Sequence, residues 1–318
     1  MSSPAGQAPA SLAFSSYAYL GPEGTFTEAA LLQVPGAAEA HRLPVATVGA
    51  ALGEVRSGRV DAAMVPIENS VEGGVSATLD AVAVGEPLRI VREELVAITF
   101  VLAARPGARL DDVRRISTHG HAWAQCRGWV HSHIPEAEYL PASSTAAAAH
   151  GLAEGAYDAA VCSPLLAERL GLAVLASDIG DVSDAVTRFI LVTRPTVLPA
   201  PTGADKTSLV IPLPEDHPGA LMEILDQFAA RGVNLSRIES RPTGQFLGDY
   251  FFSIDADGHL ADARVADALK GLHRISPNLR FLGSYARADK RPSTIAPRTS
   301  DEAFDAAESW VEGLRGGS

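Results

Sequence analysis

The chain has 318 residues, of which 47% are hydrophobic and 20% charged, a balance typical of a soluble globular protein of about two domains. Its 38 acidic and 26 basic residues give a net charge of -12. This charge argues against a nucleic-acid partner, because proteins that bind phosphate backbones cluster Lys and Arg. Residues 1–16 lack a basic start and a sustained apolar run, so we predict a disordered tail, with neither a signal peptide nor a membrane partner.

The cysteine and lysine positions exclude further kinds of chemistry. Cys126 and Cys162 are too few for a disulfide framework or a four-thiolate metal site, and they fit a reduced, cytoplasmic compartment. The first lysine is Lys206, so the preceding residues offer no amine for a Schiff base and no P-loop lysine. Any catalysis before that residue is therefore expected to be neither imine chemistry nor P-loop phosphoryl transfer.

Two segments of the first two hundred residues echo each other. Gly58-Arg-Val-Asp61-Ala-Ala and Gly155-Ala-Tyr-Asp158-Ala-Ala each follow an Ala-rich helical pattern and lead into small and β-branched apolar residues. Such a run is typical of a parallel strand covered on both faces. Further strands are predicted at 17–20, 97–103 and 115–118, and helices at 25–33 and 123–131. The alternation indicates an α/β fold with two similar lobes and a ligand cleft between them.

A boundary is predicted near residue 200, where Pro195 to Asp205 is rich in Pro and Gly. The residues after it predict strand 207–212, helix 219–231, strands 235–241 and 249–256, helix 260–272 and strand 278–284. This βαββαβ order is the ferredoxin-like motif. We expect a tail at 288–318, with a helix beyond residue 299.

Four loops that follow predicted strands are the candidate ligand-binding segments: 21–25, 66–75, 118–125 and 183–189. In the first, Thr25 or Thr27 can cap a helix whose first N–H groups can hold an anion. In the second, Glu68, Asn69 and Ser70 stand directly behind a buried strand, and paired glycines allow a ligand to approach the backbone closely. A polar turn without a ligand would look similar in either place.

The other two loops leave alternatives open. His119, His121 and Cys126 are of types that bind zinc, but their spacing matches no compact metal motif, so hydrogen-bonding histidines are favoured. Arg188 is suited to bind a carboxylate through its planar fork, or it is a surface arginine that pairs with Asp181 or Asp184.

The motifs together resemble the prephenate dehydratase family with a C-terminal ACT domain. They are Gly21-Pro-Glu-Gly-Thr-Phe-Thr27, Pro66-Ile-Glu-Asn-Ser70 with Gly73-Gly74, Thr187-Arg-Phe189, Gly219-Ala-Leu221 and Glu239-Ser-Arg-Pro242. The resemblance covers residues 17–286 and implies a lyase of phenylalanine biosynthesis that converts prephenate to phenylpyruvate, CO2 and water without a cofactor or metal. It also implies a two-lobed catalytic domain, periplasmic-binding-protein-like, at 17–195, a linker at 196–205 and a ferredoxin-like regulatory domain at 206–287.

Site residues follow from the same resemblance. Thr187 corresponds to the catalytic threonine that donates a proton or hydrogen bond to the leaving hydroxyl, with Glu68 as another possible proton source. The resemblance places Asn69 and Gln125 with it as catalytic residues. Substrate contacts are expected from Thr25, Ser70, Gly73, Gly74, Thr118, Arg188 and Phe189. The sequence departs from the family pattern at His119-Gly-His121, where Ser-His-Pro-Gln is usual, and at Asp184, where Asn is common.

In the second domain, the resemblance implies that phenylalanine binds as an allosteric effector. The implied contacts are Gly219, Ala220, Leu221, Glu239, Ser240 and Arg241. ACT domains usually pair side by side, so a homodimer or homotetramer is expected. Two alternatives to this function remain: an arogenate dehydratase, which an acidic group such as Asp184 near the substrate amine would favour, and a non-catalytic protein that senses a small anion.

Overall fold

The structure is a computed structural model that describes residues 14–71, 73–213, 217–243 and 249–316. Most of the tail predicted at 1–16 therefore lies outside the described residues. Among these residues, none of the helices has the length and apolar character required to span a bilayer. The chain divides into two compact units. One, the two-lobed unit, consists of Phe14–Val75 and Glu94–Phe189; the other, the ferredoxin-like unit, contains Ser76–Glu93 and the described residues from Ile190 onward.

Among the strands and helices up to residue 193, most strands are followed by a helix. In chain order they are β1 (Ser16–Leu20), α1 (Phe26–Leu31), β2 (His41–Val45), α2 (Val48–Arg56), β3 (Ala62–Asn69), β4 (Gly73–Gly74), α3 (Ser76–Ala83), β5 (Arg89–Ala97), β6 (Val101–Ala104), β7 (Arg115–Thr118), α4 (Gly120–His133), β8 (Glu138–Pro141), α5 (Thr145–Ala153), β9 (Ala159–Cys162), α6 (Pro164–Arg169), β10 (Ala173–Ala176) and β11 (Val186–Thr193), with a 3-10 turn at Leu110–Asp112.

These strands form two sheets, one in each lobe. The first lobe has the order β2-β1-β3-β11-β5, with β4 paired to the end of β3, and β1 runs parallel to both β2 and β3. The second lobe has the order β10-β6-β9-β7-β8. There β7 is parallel to β8 and β9, whereas β6 is antiparallel to β9 and β10. The predicted α/β fold is confirmed, and both sheets are mixed rather than all parallel, because β4 is antiparallel to β3 in the first.

The sequence echo corresponds to one structural unit used twice. Gly58 and Gly155 end α2 and α5 with left-handed backbone, at φ of 76° and 85°, and β3 and β9 begin a few residues later. The carboxylate of Asp61 accepts hydrogen bonds from the backbone N–H groups of Ser15 and Ser16. Asp158 does the same for Arg114 and Arg115. In each lobe this aspartate thus ties the start of the central strand to its neighbour.

The predicted strand at 97–103 is interrupted, because the chain crosses there from one lobe to the other. β5 ends at Ala97 and β6 begins at Val101. Between them, the N–H of Ile98 donates to the carbonyl of Ala185, and the carbonyl of Phe100 accepts from Ile179 N–H, on the segment that returns to the first lobe. The two segments, 98–100 and 179–185, are the hinge that links the lobes.

The second half of the chain gives the βαββαβ order predicted. Its elements are β12 (Asp205–Pro212), α7 (Ala220–Ala229), β13 (Leu235–Pro242), β14 (Tyr250–Asp257), α8 (Ala263–Ile275) and β15 (Arg280–Ala286), followed by a 3-10 turn at Pro297–Thr299 and by α9 (Asp301–Gly316). The sheet order β13-β14-β12-β15, antiparallel throughout, is that of a ferredoxin-like fold. The predicted fold class is therefore confirmed in both halves.

The two faces of this sheet differ in polarity. One packs on α7 and α8 through apolar side chains such as Leu209, Ile224 and Phe228. The other carries Lys206 and Asp255, which are 7% and 0% exposed. Lys206 Nζ lies 3.0 Å from a carboxylate oxygen of Glu93, in β5. Buried charges require such partners, so this polar face is held to the segment 76–93.

Candidate active site

The loop after β3 and the start of β11 meet in the first lobe. The N–H of Ser70 donates to the carbonyl of Val186, and its hydroxyl accepts from Val186 N–H, both at 2.9 Å. On the other side, Glu68 and Asn69 pair with Gly74 and Gly73 in the short strand β4. This backbone pairing places the side chains of 68–70 next to those of 187–188.

A hydrogen bond joins Asn69 to Thr187. Asn69 Nδ2 donates to Thr187 Oγ1 at 2.7 Å, while Asn69 Oδ1 accepts from Val71 N–H at 2.8 Å. Because an oxygen must face that N–H, the amide can present only its NH2 group to Thr187. Thr187 is 7% exposed, and among the described residues nothing accepts the proton of its hydroxyl. The threonine is thus a polarised donor with its proton unused.

Arg188 pairs with Glu68. Its Nη1 lies 3.0 Å from a carboxylate oxygen of Glu68, and the two side chains are 7% and 38% exposed. The sequence offered Asp181 and Asp184 as partners, but the Asp181 carboxylate accepts from two backbone N–H groups of α4 instead. Glu68 serves in this pair as a hydrogen-bond acceptor.

The loop between β1 and α1 is held by its own polar atoms. Thr25 caps α1 by accepting from Glu28 N–H, and its hydroxyl donates to the carbonyl of Leu20 at 3.1 Å. The N–H of Gly24 donates to Glu28 Oε2 at 2.6 Å. The same oxygen lies 2.6 Å from Arg169 Nη1, in α6 of the second lobe, and this bond raises the pKa of Arg169.

Like Thr25, three further predicted residues share no side-chain hydrogen bond with the Thr187 cluster among the described residues. Thr118 is fully buried and its hydroxyl donates to the carbonyl of Val161 at 2.8 Å. Phe189 is 1% exposed and packs in the core. Gln125 lies in the second turn of α4, where its backbone carbonyl accepts from Asp181 N–H. Substrate contacts by these residues stay predictions.

The two departures from the family pattern have local explanations. His119 is the N-cap of α4, which begins at Gly120 rather than at the predicted Trp123. No group of three or more His, Cys, Asp or Glu side chains in the described residues is arranged to hold a metal. Asp184 is exposed and has φ of 63°, a left-handed conformation that Asn and Asp tolerate best after Gly. Asp in place of Asn therefore preserves a turn.

The predicted effector residues lie at one end of the ferredoxin-like sheet. β12 and β13 flank β14 and are both antiparallel to it, so their carboxyl ends share an edge with the start of α7. Gly219 caps α7 with φ of 96°, and Leu221 and Ser240 are exposed. Arg241 forms two hydrogen bonds with Asp80 of α3, at 3.0 and 2.8 Å. These bonds raise the pKa of Arg241.

Sequence reasoning missed Glu28, Arg169, Ser163 and Asp80. Three of them occupy positions that ordinary helix termini explain, so nothing in the nearby sequence indicates a distant partner. Glu28 is an acid in a first helical turn, Arg169 a base in a last turn, and Ser163 a helix cap before Pro164. Their partners lie 139 to 161 residues away in the chain. No short-range pattern carries that information.

Comparisons with known proteins agree along nearly the whole chain. The family model described as prephenate dehydratase matches residues 17–197. A prephenate dehydratase of Amycolatopsis methanolica is 46% identical over 301 residues, which cover 94% of this chain and 98% of the relative. The crystal structure of a prephenate dehydratase from Arthrobacter aurescens in complex with L-Phe is 70% identical, with a TM-score of 0.90 over 94% of this chain and 99% of that one. A structure described as GqqA, a quorum-quenching acylase, is 33% identical, with a TM-score of 0.75, and covers 87% of this chain and 100% of that one.

Proposed function

The chain belongs to the prephenate dehydratase family and is thus a carbon–oxygen lyase, and from this premise we propose that it converts prephenate to phenylpyruvate, CO2 and water, with Thr187 as the proton donor. The observation that carries this assignment is the hydrogen bond from Asn69 to Thr187. Thr187 is buried, and among the described residues nothing accepts the proton of its hydroxyl, so this proton can be given to a substrate.

The reaction needs little beyond that proton and a positioned substrate. The bond between the ring and its carboxylate breaks, CO2 leaves, and the electron pair enters the ring. The C4 hydroxyl departs with a proton from Thr187 as water, and the ring becomes aromatic. A hydroxyl is a weak acid, so donation is concerted with departure. The amide of Asn69 stabilises negative charge on Thr187 Oγ1 as it develops, and solvent then returns the proton.

Arg188 and Glu68 support this site in different ways. A guanidinium is suited to the carboxylates of a dianionic substrate. The ion pair with Glu68 ties the start of β11 to the loop that carries Asn69. We therefore assign to Arg188 the bracing of that loop, together with electrostatic attraction of the substrate. Ser70, Gly73 and Gly74, which shape the same loop, are its proposed substrate-facing neighbours.

We further propose that the ferredoxin-like unit contains an ACT domain that binds L-phenylalanine and regulates turnover. A relative that is 70% identical was crystallised with L-Phe. In this chain the predicted effector motifs share one edge of the sheet, where Gly219 and Leu221 begin α7 and Glu239 and Ser240 end β13. Glu239→Ala should weaken phenylalanine binding measured by calorimetry, and unchanged binding would move the effector site elsewhere.

Arg241 supports a link between effector and catalysis rather than a direct contact with phenylalanine. Its guanidinium is engaged by Asp80, on the helix that begins two residues after Gly74. Asp80→Asn should keep phenylalanine binding within about threefold while weakening the response of turnover to phenylalanine. Loss of binding in this variant would instead make Arg241 part of the effector site.

A homodimer or homotetramer and a cytoplasmic location complete the proposal. β13 lies at the edge of its sheet, and an open edge can pair with the same strand of a second copy. Both cysteines are buried, unbridged thiols, and burial raises the pKa of each to about 12. Such thiols suit a reducing compartment.

The decisive experiment is to measure phenylpyruvate formation from prephenate by the purified chain, with and without phenylalanine. Turnover that phenylalanine changes supports both parts of the proposal, and turnover without such an effect leaves the regulatory part unsupported. A folded protein inactive on prephenate but active on arogenate would be an arogenate dehydratase. Inactivity on both would favour a binding protein. The acylase relative makes this substrate test necessary, because one fold hosts different reactions.

A further inference from the structure

The two lobes are linked at Gly24 as well as at the hinge. This residue is in the β1–α1 loop of the first lobe, and both of its backbone polar groups are bound. Its N–H donates to Glu28 Oε2 at 2.6 Å, and its carbonyl accepts from the hydroxyl of Ser163 at 2.8 Å. Ser163 follows β9 in the second lobe. Arg169, also in the second lobe, reaches the same Glu28 oxygen at 2.6 Å.

The approach of the lobes at this point requires a glycine. Gly24 has φ of 81°, which disfavours any L side chain. A Cβ placed there would collide with the side chain of Leu166, in the first turn of α6. The same hydroxyl of Ser163 that holds Gly24 also accepts from Leu166 N–H at 3.2 Å and caps α6. The loop of one lobe is therefore seated directly on a helix start of the other.

The carboxylate in this link is buried. The Glu28 side chain is 2% exposed and that of Arg169 is 34% exposed. A carboxylate removed from water is costly unless it is paired and hydrogen-bonded. In this structure Arg169 and the N–H of Gly24 meet that need. Separation of the lobes would strip Glu28 of Arg169, so the contact favours the arrangement in which the lobes are together.

We propose that Glu28, Arg169, Ser163 and Gly24 form a clasp that holds the two lobes in the arrangement that binds substrate. In this role Glu28 and Arg169 are positioning residues, since no hydrogen bond or ion pair between described residues joins either of them to the Thr187 cluster. The inference rests on the proposed function, because it assumes that prephenate binds between the lobes. Hinge segments 98–100 and 179–185 connect the lobes covalently, and the clasp restricts their rotation about that connection.

This role has a kinetic signature. If only a fraction of molecules has the binding-competent arrangement, the apparent affinity falls to that fraction of its full value. Chemistry in the bound state is unaffected, because substrate binding restores the arrangement. Loss of the clasp should therefore raise KM and leave kcat nearly unchanged. A purely structural role would lower thermal stability and the active fraction without a change in KM.

The test is to compare KM and kcat for prephenate in Glu28→Gln, Arg169→Met and the double variant with the wild-type chain. We expect each to raise KM about tenfold, which corresponds to a competent fraction near one tenth, with kcat within about threefold. The double variant should not add the two single effects, because both remove one contact. Arg169→Lys, which keeps the charge, should recover part of the wild-type KM.

Glu54→Gln is the matched control. Glu54 forms a comparably short pair with Arg59 at 2.6 Å in the first lobe, but the Arg59 side chain is 66% exposed. Its KM should equal that of the wild type. If Arg169→Met does not fold because Glu28 loses its partner, the double variant removes both charges and still tests the clasp.

The possible results distinguish failure of the clasp from failure of the proposed function. A wild-type chain that does not turn over prephenate overturns the proposed function and the clasp with it. A wild-type chain that turns over prephenate, with folded Glu28→Gln and double variants that keep its KM, overturns the clasp alone. The clasp is also overturned if both variants lose kcat while KM is unchanged.

Discussion

The two lobes contain similar buried threonines with opposite hydrogen-bonding states. Thr118, in the second lobe, gives its proton to the carbonyl of Val161 and so stabilises the pairing of β7 with β9. Thr187, in the first lobe, accepts from Asn69 and has no acceptor for its own proton among the described residues. Both side chains are almost inaccessible to water. Their chemical difference therefore comes from their partners rather than from residue type or burial.

The loops after the central strands create this difference. Both lobes place a glycine and an aspartate before the central strand, as the sequence echo shows. After β3 the chain folds back as β4, which holds Asn69 beside Thr187. After β9 it turns directly into α6, where Ser163 serves as the helix cap. A shared scaffold thus carries the proposed proton donor in one lobe and structural hydroxyls in the other.

The largest effect should come from Thr187→Val, which removes the hydroxyl and keeps the shape of the side chain. We expect kcat to fall at least about 100-fold, the scale of lost general-acid assistance, with the thermal unfolding midpoint little changed. Steady-state assays of phenylpyruvate formation measure the loss. Turnover near the wild-type value would remove Thr187 from the chemistry.

Thr118→Val is the matched substitution in the other lobe. It leaves the carbonyl of Val161 without this donor, so we expect the free energy of unfolding to fall by about 1–3 kcal/mol. The kcat of the folded protein should stay within about threefold of the wild type. A kcat loss as large as that of Thr187→Val would show that both threonines serve the reaction and that the contrast is wrong.

Asn69→Asp should have the next largest effect. One carboxylate oxygen can still accept from Val71 N–H, but the other would accept the proton of Thr187 instead of donating to its oxygen. We expect kcat to fall about 10- to 100-fold, the worth of one to two hydrogen bonds to a developing charge. Asn69→Leu, which cannot accept that proton, should be less impaired than Asn69→Asp. Equal activity of the two variants would contradict the proposed direction of the bond.

The smallest effect, on stability, is expected from substitution of Asp61, the aspartate before the central strand of the first lobe. Hydrogen bonds, chiefly from the Ser15 side chain, lower the pKa of Asp61 below its usual range. The resulting stability is present above the unfolded pKa of about 4 and is lost as the pH falls through the folded pKa. Asp61→Asn should therefore destabilise by about 1 kcal/mol at pH 7 and by less at pH 3. Urea unfolding of Asp61→Asn and of the wild type at both pH values tests this expectation; a difference in unfolding free energy that is the same at both pH values would contradict it.

Elements with strong local patterns could be predicted from the sequence. The strand at 115–118 has its predicted bounds, and the βαββαβ order of the second half follows from periodicity and turn residues. The strand after Asp61 continues beyond the apolar run that ends near Pro66, as far as Asn69, because residues 68 and 69 pair with Gly74 and Gly73. That extension depends on a fold-back of the chain that apolar periodicity does not report.

Contacts distant in sequence could not be predicted. A family resemblance singles out Thr187 and Asn69, yet their hydrogen bond joins residues 118 positions apart. For Arg188 the sequence offered only acids near it in the chain, whereas the structure pairs it with Glu68, 120 positions away. Glu28 gave no signal, since a glutamate in the first helical turn is normally a favourable charge at the helix dipole. Its burial against Arg169 depends on how two lobes meet.

The packing of residues 76–93 has a consequence for dissection of the chain. Asp80 and Glu93 precede the hinge in sequence, but they bind Arg241 and Lys206 of the ferredoxin-like half. A fragment that ended at the Pro-rich linker would lose both cationic partners, and a fragment that began there would lose both anionic ones. Domain borders drawn along the sequence thus cut through ion pairs. A transplantable module built on the ferredoxin-like unit would have to include α3 and β5 as well as the residues after 205.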